Sequence, residues 1–121
     1  MSPYFPTPLL DTALAKQQAD QESTRQLLLK SALDWLQAEG LSFGIDRGYI
    51  FGSLTQSGRF TQNSDVDLAV ETLNQGDPFG LISFLSTHVN REVDLVPLDQ
   101  CHFADKIRQE GILWIASNGP D

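Results

Sequence analysis

Cysteine, basic residues and long apolar runs are all scarce in this chain of 121 residues. A single cysteine, Cys101, excludes an internal disulfide and favours a reducing compartment. No stretch approaches the roughly 20 apolar residues that a membrane span needs. The segment Met1 to Leu10 lacks the basic run and apolar stretch of a signal peptide. We therefore expect a cytoplasmic protein.

Basic residues number 8 against 16 acidic ones, which gives a net charge of −8. This balance argues against a broad nucleic-acid-binding face, which needs a basic surplus, and against docking on anionic membranes. We therefore expect no direct contact with nucleic acid and no contact with a membrane. A protein this acidic that handles phosphates needs metal ions as intermediaries.

The length suits one compact domain, in which strand patterns lie between helix patterns. Three prolines in residues 1–8 predict a flexible N-terminal arm, and residues 9–121 then form a single domain. Periodicity and turn residues predict helices over Leu9–Ala38, Phe79–Val89 and His102–Glu110, and strands over Tyr49–Phe51, Val66–Val70 and Glu92–Val96. Ile112–Ala116 fits either a final strand or a helix extension. This order predicts an α/β or α+β fold, with a small mixed sheet packed by helices.

Two aspartates flank a valine where the second strand begins. Side chains two residues apart point to the same face of a strand, so Asp65 and Asp67 project together, while Val66 and Leu68 are buried behind them. Neighbouring carboxylates repel each other, and a cation between them relieves that cost. Oxygen ligands favour a hard ion such as Mg²⁺ or Mn²⁺. Taken alone, the pair is more typical of a solvated strand edge than of a metal site.

Gly52 and Ser53 follow the first strand directly. A glycine there permits a tight turn and the close approach of a ligand. Ser53 can offer its hydroxyl and its backbone N–H to a phosphate oxygen, although the pair taken alone is more typical of an ordinary serine-capped turn. A third carboxylate is available on the last predicted strand, because Asp94 reaches the same ions if that strand lies beside Asp65 and Asp67. Three carboxylates around two Mg²⁺ ions are a device for phosphoryl chemistry.

These residues resemble a known set of motifs. Gly52-Ser53, the polar spacer, Asp65-Val66-Asp67 and the later Asp94 are similar to the motifs of the nucleotidyltransferase superfamily that includes DNA polymerase β and kanamycin nucleotidyltransferase. The resemblance covers about Tyr49 to Ile115. It implies a polymerase β-like nucleotidyltransferase core.

The short chain resembles the minimal nucleotidyltransferase branch in particular. The run Val93–Val96, followed by Ile107–Gly111, is similar to that branch. Its members are commonly the antitoxins of two-component modules whose toxin is a HEPN-domain ribonuclease. The resemblance therefore implies a hetero-oligomer with such a toxin.

The resemblance also implies roles for individual residues. Asp65 and Asp67 would bind both Mg²⁺ ions. Asp94 would bind the catalytic ion and help to deprotonate the attacking hydroxyl. Gly52 and Ser53 would hold the β- and γ-phosphates. The implied reaction moves a nucleoside monophosphate from a nucleoside triphosphate to a hydroxyl; in the antitoxin branch the donor is ATP and the acceptor is a tyrosine of the toxin.

One departure concerns the arginine that relatives often place just before the spacer glycine. Here Ser57 precedes Gly58, and Arg59 follows it. Arg59 fits the phosphate-facing role and a solvated loop position equally well.

The motif does not select the acceptor, so two alternatives stand beside the adenylyltransferase antitoxin. One is a binding antitoxin that neutralises the toxin by covering it, and the other is a nucleotidyltransferase that modifies a small molecule.

Overall fold

The computed structural model describes residues 8–117, with side chains from residue 10 onward. Within this range the chain forms a four-stranded sheet and three α-helices. The helices are α1 (Pro8–Glu39), α2 (Pro78–Val89) and α3 (Ala104–Glu110), and the strands are β1 (Arg47–Phe51), β2 (Val66–Val70), β3 (Val93–Pro97) and β4 (Ile112–Ile115). Short 3₁₀ turns follow α1, β1 and β3, at Gly40–Phe43, Gly52–Thr55 and Leu98–Gln100. The predicted mixed α/β fold is confirmed, and Ile112–Ile115 is a strand.

The predicted N-terminal arm, residues 1–8, lies outside the described residues except for Pro8, the first residue of α1. Helix α1 therefore begins one residue before the predicted helix and ends one residue after it. None of the helices in the described range combines the length and the apolar composition that spanning a bilayer requires.

The strand order of the sheet is β3-β2-β1-β4. Strands β2 and β3 are parallel, and α2 connects them, as a parallel crossover requires. Strand β1 pairs antiparallel with both β2 and β4. The register places Asp67 opposite Asp94 on one side and opposite Phe51 on the other.

The two faces of the sheet are covered by different helices. Alternate residues of β2 (Val66, Leu68 and Val70) pack in one cluster with residues of α1 and α2, namely Ala32, Leu36, Leu81 and Leu85. We call this side of the sheet the α1/α2 face. The opposite side, the α3 face, packs Ala69 against Ala104 and Ile107. Because Asp67 alternates with Val66 and Leu68, its side chain lies on the α3 face.

Helix α2 has a clear start and end, which fixes the connection between the two strands that carry aspartates. Asp77 caps its first turn by accepting a hydrogen bond of 3.0 Å from the backbone N–H of Gly80, and Pro78 occupies the first helical position. At the other end Asn90 takes a left-handed conformation, with φ of 55°. Both signals are readable in the sequence, so the helix bounds agree with the prediction to within one residue.

Candidate active site

The turn after β1 brings Gly52 against the carboxylate of Asp67. Gly52 has a φ of +79°, a backbone conformation that favours glycine. A Cβ atom built at this position would overlap the carboxylate oxygen of Asp67. The hydroxyl of Thr55 donates a hydrogen bond of 2.8 Å to the carbonyl of Gly52 and holds the turn. The predicted phosphate-binding turn and the predicted metal-binding carboxylate are therefore in direct contact.

The three predicted carboxylates occupy neighbouring positions on two parallel strands. Asp67 and Asp94 are register partners on β2 and β3, and Asp65 immediately precedes β2. Asp65 and Asp67 are half-buried, whereas Asp94 is exposed. Within residues 8–117 none of the three makes an ion pair or a side-chain hydrogen bond. The structure thus places the three aspartates at neighbouring positions on two paired strands.

The surroundings of Asp67 disfavour its charged form. Burial raises the pKa of the Asp67 carboxyl, and the negative charges of Asp94 and Asp65 raise it further. These effects mean that the folded protein holds an ionised Asp67 at a free-energy cost at neutral pH. A bound cation would reverse that effect.

The oxygen atoms of these carboxylates are the ligands that a hard cation prefers, and a cation between them would relieve their mutual repulsion. Their side chains do not, however, converge as a complete ligand set: in the part of the chain that the structure describes, no three His, Cys, Asp or Glu residues are grouped so that they could hold an ion. Asp67 and Asp94 face each other through the register, and Asp65 acts on Asp67 through its charge. These three carboxylates are the groups of the site that could supply oxygen ligands to a divalent cation.

A cavity of about 290 Å³ opens beside the turn, between it and α3. This volume is close to the lower limit of typical ligand pockets, roughly 300 Å³. Three of the predicted nucleotide-binding residues, Gly52, Ser53 and Arg59, line it together. Arg59 therefore faces the cavity, although it stands on the other side of the spacer glycine from the expected position. The aspartates do not line the cavity and adjoin it through the contact of Asp67 with Gly52.

Helix α3 supplies a wall of the cavity that the motif does not include. The cavity is lined by Lys106, Ile107 and Glu110 of the helix and by Phe103, the residue before it, and their spacing places them on one side of the helix. Sequence reasoning missed Lys106, because nothing in the local pattern distinguishes it from any other exposed helical lysine. The helical spacing of these residues can be read from the sequence. The turn that lines the same cavity, however, lies more than 40 residues earlier in the chain, and the spacing does not identify it.

Helix α1 braces the same turn through a partly buried ion pair. Arg25 donates a hydrogen bond of 3.1 Å to the carbonyl of Leu54, and it pairs with Glu22 at distances of 2.7 and 2.9 Å. Hydrogen bonds from Arg25 and Gln26 lower the pKa of Glu22 to about 2. The side chain of Arg25 is only 12% exposed, so this pair is more enclosed than the other ion pairs of α1. A Glu and an Arg three residues apart suggest a helical ion pair, but the sequence does not reveal that Arg25 reaches the turn.

A second arginine holds the spacer that leads into β2. Arg91 donates a hydrogen bond of 2.8 Å to the carbonyl of Ser64, the residue before Asp65. Its guanidinium carbon lies 4.8 Å from the ring centroid of Phe60, which is buried in the same spacer. Since β3 begins two residues later, Arg91 links the position of Asp65 to the strand that carries Asp94.

Comparison with known protein families gives a match. The family model described as polymerase beta, nucleotidyltransferase matches residues 42–119, about two thirds of the chain. The match includes all four strands and both walls of the cavity, and α1 lies outside it. No curated protein and no solved structure gives a significant match.

Proposed function

The chain belongs to the polymerase beta nucleotidyltransferase family, and on this premise we propose that it transfers AMP from ATP to a tyrosine hydroxyl of a partner HEPN-domain ribonuclease toxin, as its antitoxin. The observation that carries the proposal is the contact between Gly52 and Asp67, beside the cavity that Ser53 and Arg59 line. This contact joins a phosphate-binding turn to a group of carboxylates, as nucleotidyl transfer requires. The family membership supports the reaction class, and the resemblance to the minimal branch suggests ATP and the toxin.

The transfer forms one bond and breaks one. The acceptor oxygen bonds to the α-phosphorus of ATP, and the bond from that phosphorus to the oxygen bridging to the β-phosphate breaks. Pyrophosphate leaves with the electron pair, and the acceptor hydroxyl gives up its proton. The protein must therefore hold the triphosphate, position the hydroxyl and receive the proton.

Residues on both sides of Gly52 meet these requirements. Ser53 and Arg59 bind phosphate oxygens from the cavity, with Thr55 and Arg25 keeping the turn in place. Asp94 is exposed, so its carboxylate can reach an acceptor that belongs to another molecule and accept its proton. Asp65 and Asp67 complete the carboxylate set that would hold two Mg²⁺ ions. When bound, these ions supply charge neutralisation for the phosphates and acidify the hydroxyl.

The direct test uses ATP labelled at the α-phosphate. Purified protein with Mg²⁺ is incubated in a lysate of the source cells, in parallel with a variant that carries Asp65→Asn and Asp67→Asn. Asp46→Asn is the matched control, because Asp46 is an exposed carboxylate outside the site. We expect one labelled protein band with the wild type and the control, and none with the double variant.

Other outcomes of this experiment contradict the proposal. Label in a small molecule would assign the acceptor to the alternative of a small-molecule nucleotidyltransferase. Label in the band with a correctly folded double variant would show that the carboxylates are not catalytic. Sequencing of a labelled band that lacks a HEPN domain would remove the toxin from the proposal and leave protein nucleotidylation in place.

A second candidate function, neutralisation by binding alone, is favoured by exposed apolar side chains on α1 and α2. Leu27, Phe79 and Phe84 are 70%, 62% and 63% exposed, and the net charge of −8 suits a basic partner. Cells that carry the toxin distinguish the two functions. Protection by the Asp65→Asn, Asp67→Asn variant would favour binding, and loss of protection would favour catalysis. If that variant protects, adding Phe84→Ser to it tests the surface, and loss of the remaining protection would assign neutralisation to binding through α2.

A further inference from the structure

The basic residues of this acidic chain are mostly engaged with its own groups. Of the 8, four form ion pairs and one, Arg91, binds backbone carbonyls. In the described part of the chain, the three that have neither kind of partner are Arg47, Arg59 and Lys106. Two of these three, Arg59 and Lys106, line the cavity beside Gly52. Among the described residues, most of the Lys and Arg charge without a partner therefore lies at one site.

Lys106 approaches that cavity from a rigid support. Its neighbour Ile107 and the preceding Ala104 are buried against the α3 face of the sheet. The end of the helix is fixed by a hydrogen bond of 2.7 Å from the backbone N–H of Gly111 to the carbonyl of Ile107. Lys106 thus lines the same cavity as Gly52 and Ser53, on a helix whose position the core determines.

The cavity also contains a carboxylate that could have neutralised Lys106. Glu110 lies one turn further along α3, at the spacing at which helical ion pairs form. Within residues 8–117, however, no ion pair involves Glu110 or Lys106. An ammonium group left without a carboxylate partner, beside a guanidinium in a concave site, is suited to a polyanion from outside the chain.

We propose that Lys106, together with Arg59, binds the phosphate chain of the nucleoside triphosphate and makes the site select triphosphates over uncharged nucleosides. The inference rests on the proposed function, and it assigns the recognition of phosphate charge to a residue of α3. The phosphates then lie between two walls, with Ser53 and Arg59 on one and Lys106 on the other. Lys106 is a binding residue for the donor and takes no part in the proton transfer.

Equilibrium binding of ATP and of adenosine tests this role, with Mg²⁺ present and without any acceptor. Lys106→Gln removes the charge from an exposed position, and Lys106→Arg retains it. Arg47→Gln is the matched control. Arg47 is likewise an exposed cation that has no ion-pair partner among the described residues, but it lies outside the cavity. We expect Lys106→Gln to weaken ATP binding about tenfold or more, the effect of losing one charge-assisted hydrogen bond. Adenosine binding should change less than about twofold, and Lys106→Arg should restore most of the ATP affinity.

Four results would overturn the assignment. Wild-type ATP affinity in Lys106→Gln would show that Lys106 does not contact the phosphates, and the proposed function would stand unchanged. Equal losses for ATP and adenosine would indicate a distorted cavity, and an equal loss in Arg47→Gln would indicate a general effect of net charge. A wild-type chain that binds no ATP would reject this role and the proposed function together.

Discussion

Gly52 and Asp67 stand so close that no side chain can occupy position 52 without displacing the Asp67 carboxylate. The glycine is therefore needed twice, once for its backbone conformation and once for the space that the carboxylate fills. The second need is specific to function, because the atom that would be displaced belongs to the far end of a side chain that can rotate away.

Gly52→Ala is expected to lose stability modestly and activity severely. The left-handed backbone at a φ of +79° costs a residue with a Cβ about 1–2 kcal/mol. Gly58 has a φ of +88° and nothing near its missing side chain, so Gly58→Ala carries the same backbone cost and leaves Asp67 in place. Thermal unfolding should give similar losses for both variants. Nucleotidyl transfer should fall by roughly two orders of magnitude only in Gly52→Ala; equal activities would contradict the account.

The sequence predicts the strands well, and with them the positions of the three aspartates in the sheet, because both are encoded locally. Strand β2 is recognised by its apolar residues, which are interrupted only by Asp67. The bounds of helix α2 follow from caps such as Asp77. The supports of the site are not encoded locally. Arg25 reaches a carbonyl 29 residues away, and Arg91 reaches one 27 residues away. Such contacts depend on how α1 and β3 pack, which no spacing within either element reveals.

Arg91 is expected to act as a positioning residue for Asp65. Arg91→Ala removes the hydrogen bond to the Ser64 carbonyl and the contact with Phe60, so the spacer before Asp65 loosens. We expect a lower kcat and a higher Mg²⁺ concentration for half-maximal activity, by about 10-fold, the usual effect of losing a group that orients a metal ligand. Arg91→Lys should recover part of the Mg²⁺ response. An unchanged Mg²⁺ response in Arg91→Ala, with only a lower melting temperature, would make the role purely structural.

Glu22 is expected to act on the turn through Arg25, with a characteristic dependence on pH. Glu22→Gln weakens the hold of Arg25 on the Leu54 carbonyl and should raise the KM for ATP about two- to fivefold. Because hydrogen bonds lower the pKa of Glu22 from 4.5 to about 2, its contribution to stability is complete above the unfolded-state pKa. It is lost as the pH falls from about 4.5 towards 2.

Melting temperatures from pH 2 to pH 8 check this prediction for Glu22. The difference between the wild type and Glu22→Gln should be constant from pH 8 to pH 5 and should shrink below that range. Asp34→Asn removes another ion pair of α1, that of Lys30, which touches no part of the turn. It should leave the KM for ATP unchanged. A rise in KM in this control would mean that the helix as a whole, and not Arg25, supports the turn.

The ionised carboxylate of Asp67 is expected to lower the stability of the folded protein. The pKa of Asp67 is higher in the folded state than in the unfolded state. Between these two pKa values the folded protein therefore binds more protons, and the free energy of unfolding falls as the pH rises through that window. Asp67→Asn removes the buried charge next to Asp94 and Asp65. We therefore expect this variant to melt at a higher temperature than the wild type at pH 7, with the difference vanishing near pH 3, while activity falls by roughly two to three orders of magnitude.

The same substitution also tests whether the Asp67 carboxylate binds a cation, separately from its electrostatic cost to stability. Mg²⁺ should raise the melting temperature of the wild type, because a ligand that binds only the folded state stabilises it, and EDTA should reverse the rise. Asp67→Asn should show little response, whereas Asp46→Asn should respond like the wild type. A lower melting temperature for Asp67→Asn at pH 7 would mean that its carboxylate makes stabilising contacts in solution. A full Mg²⁺ response in that variant would place the ion elsewhere on the protein.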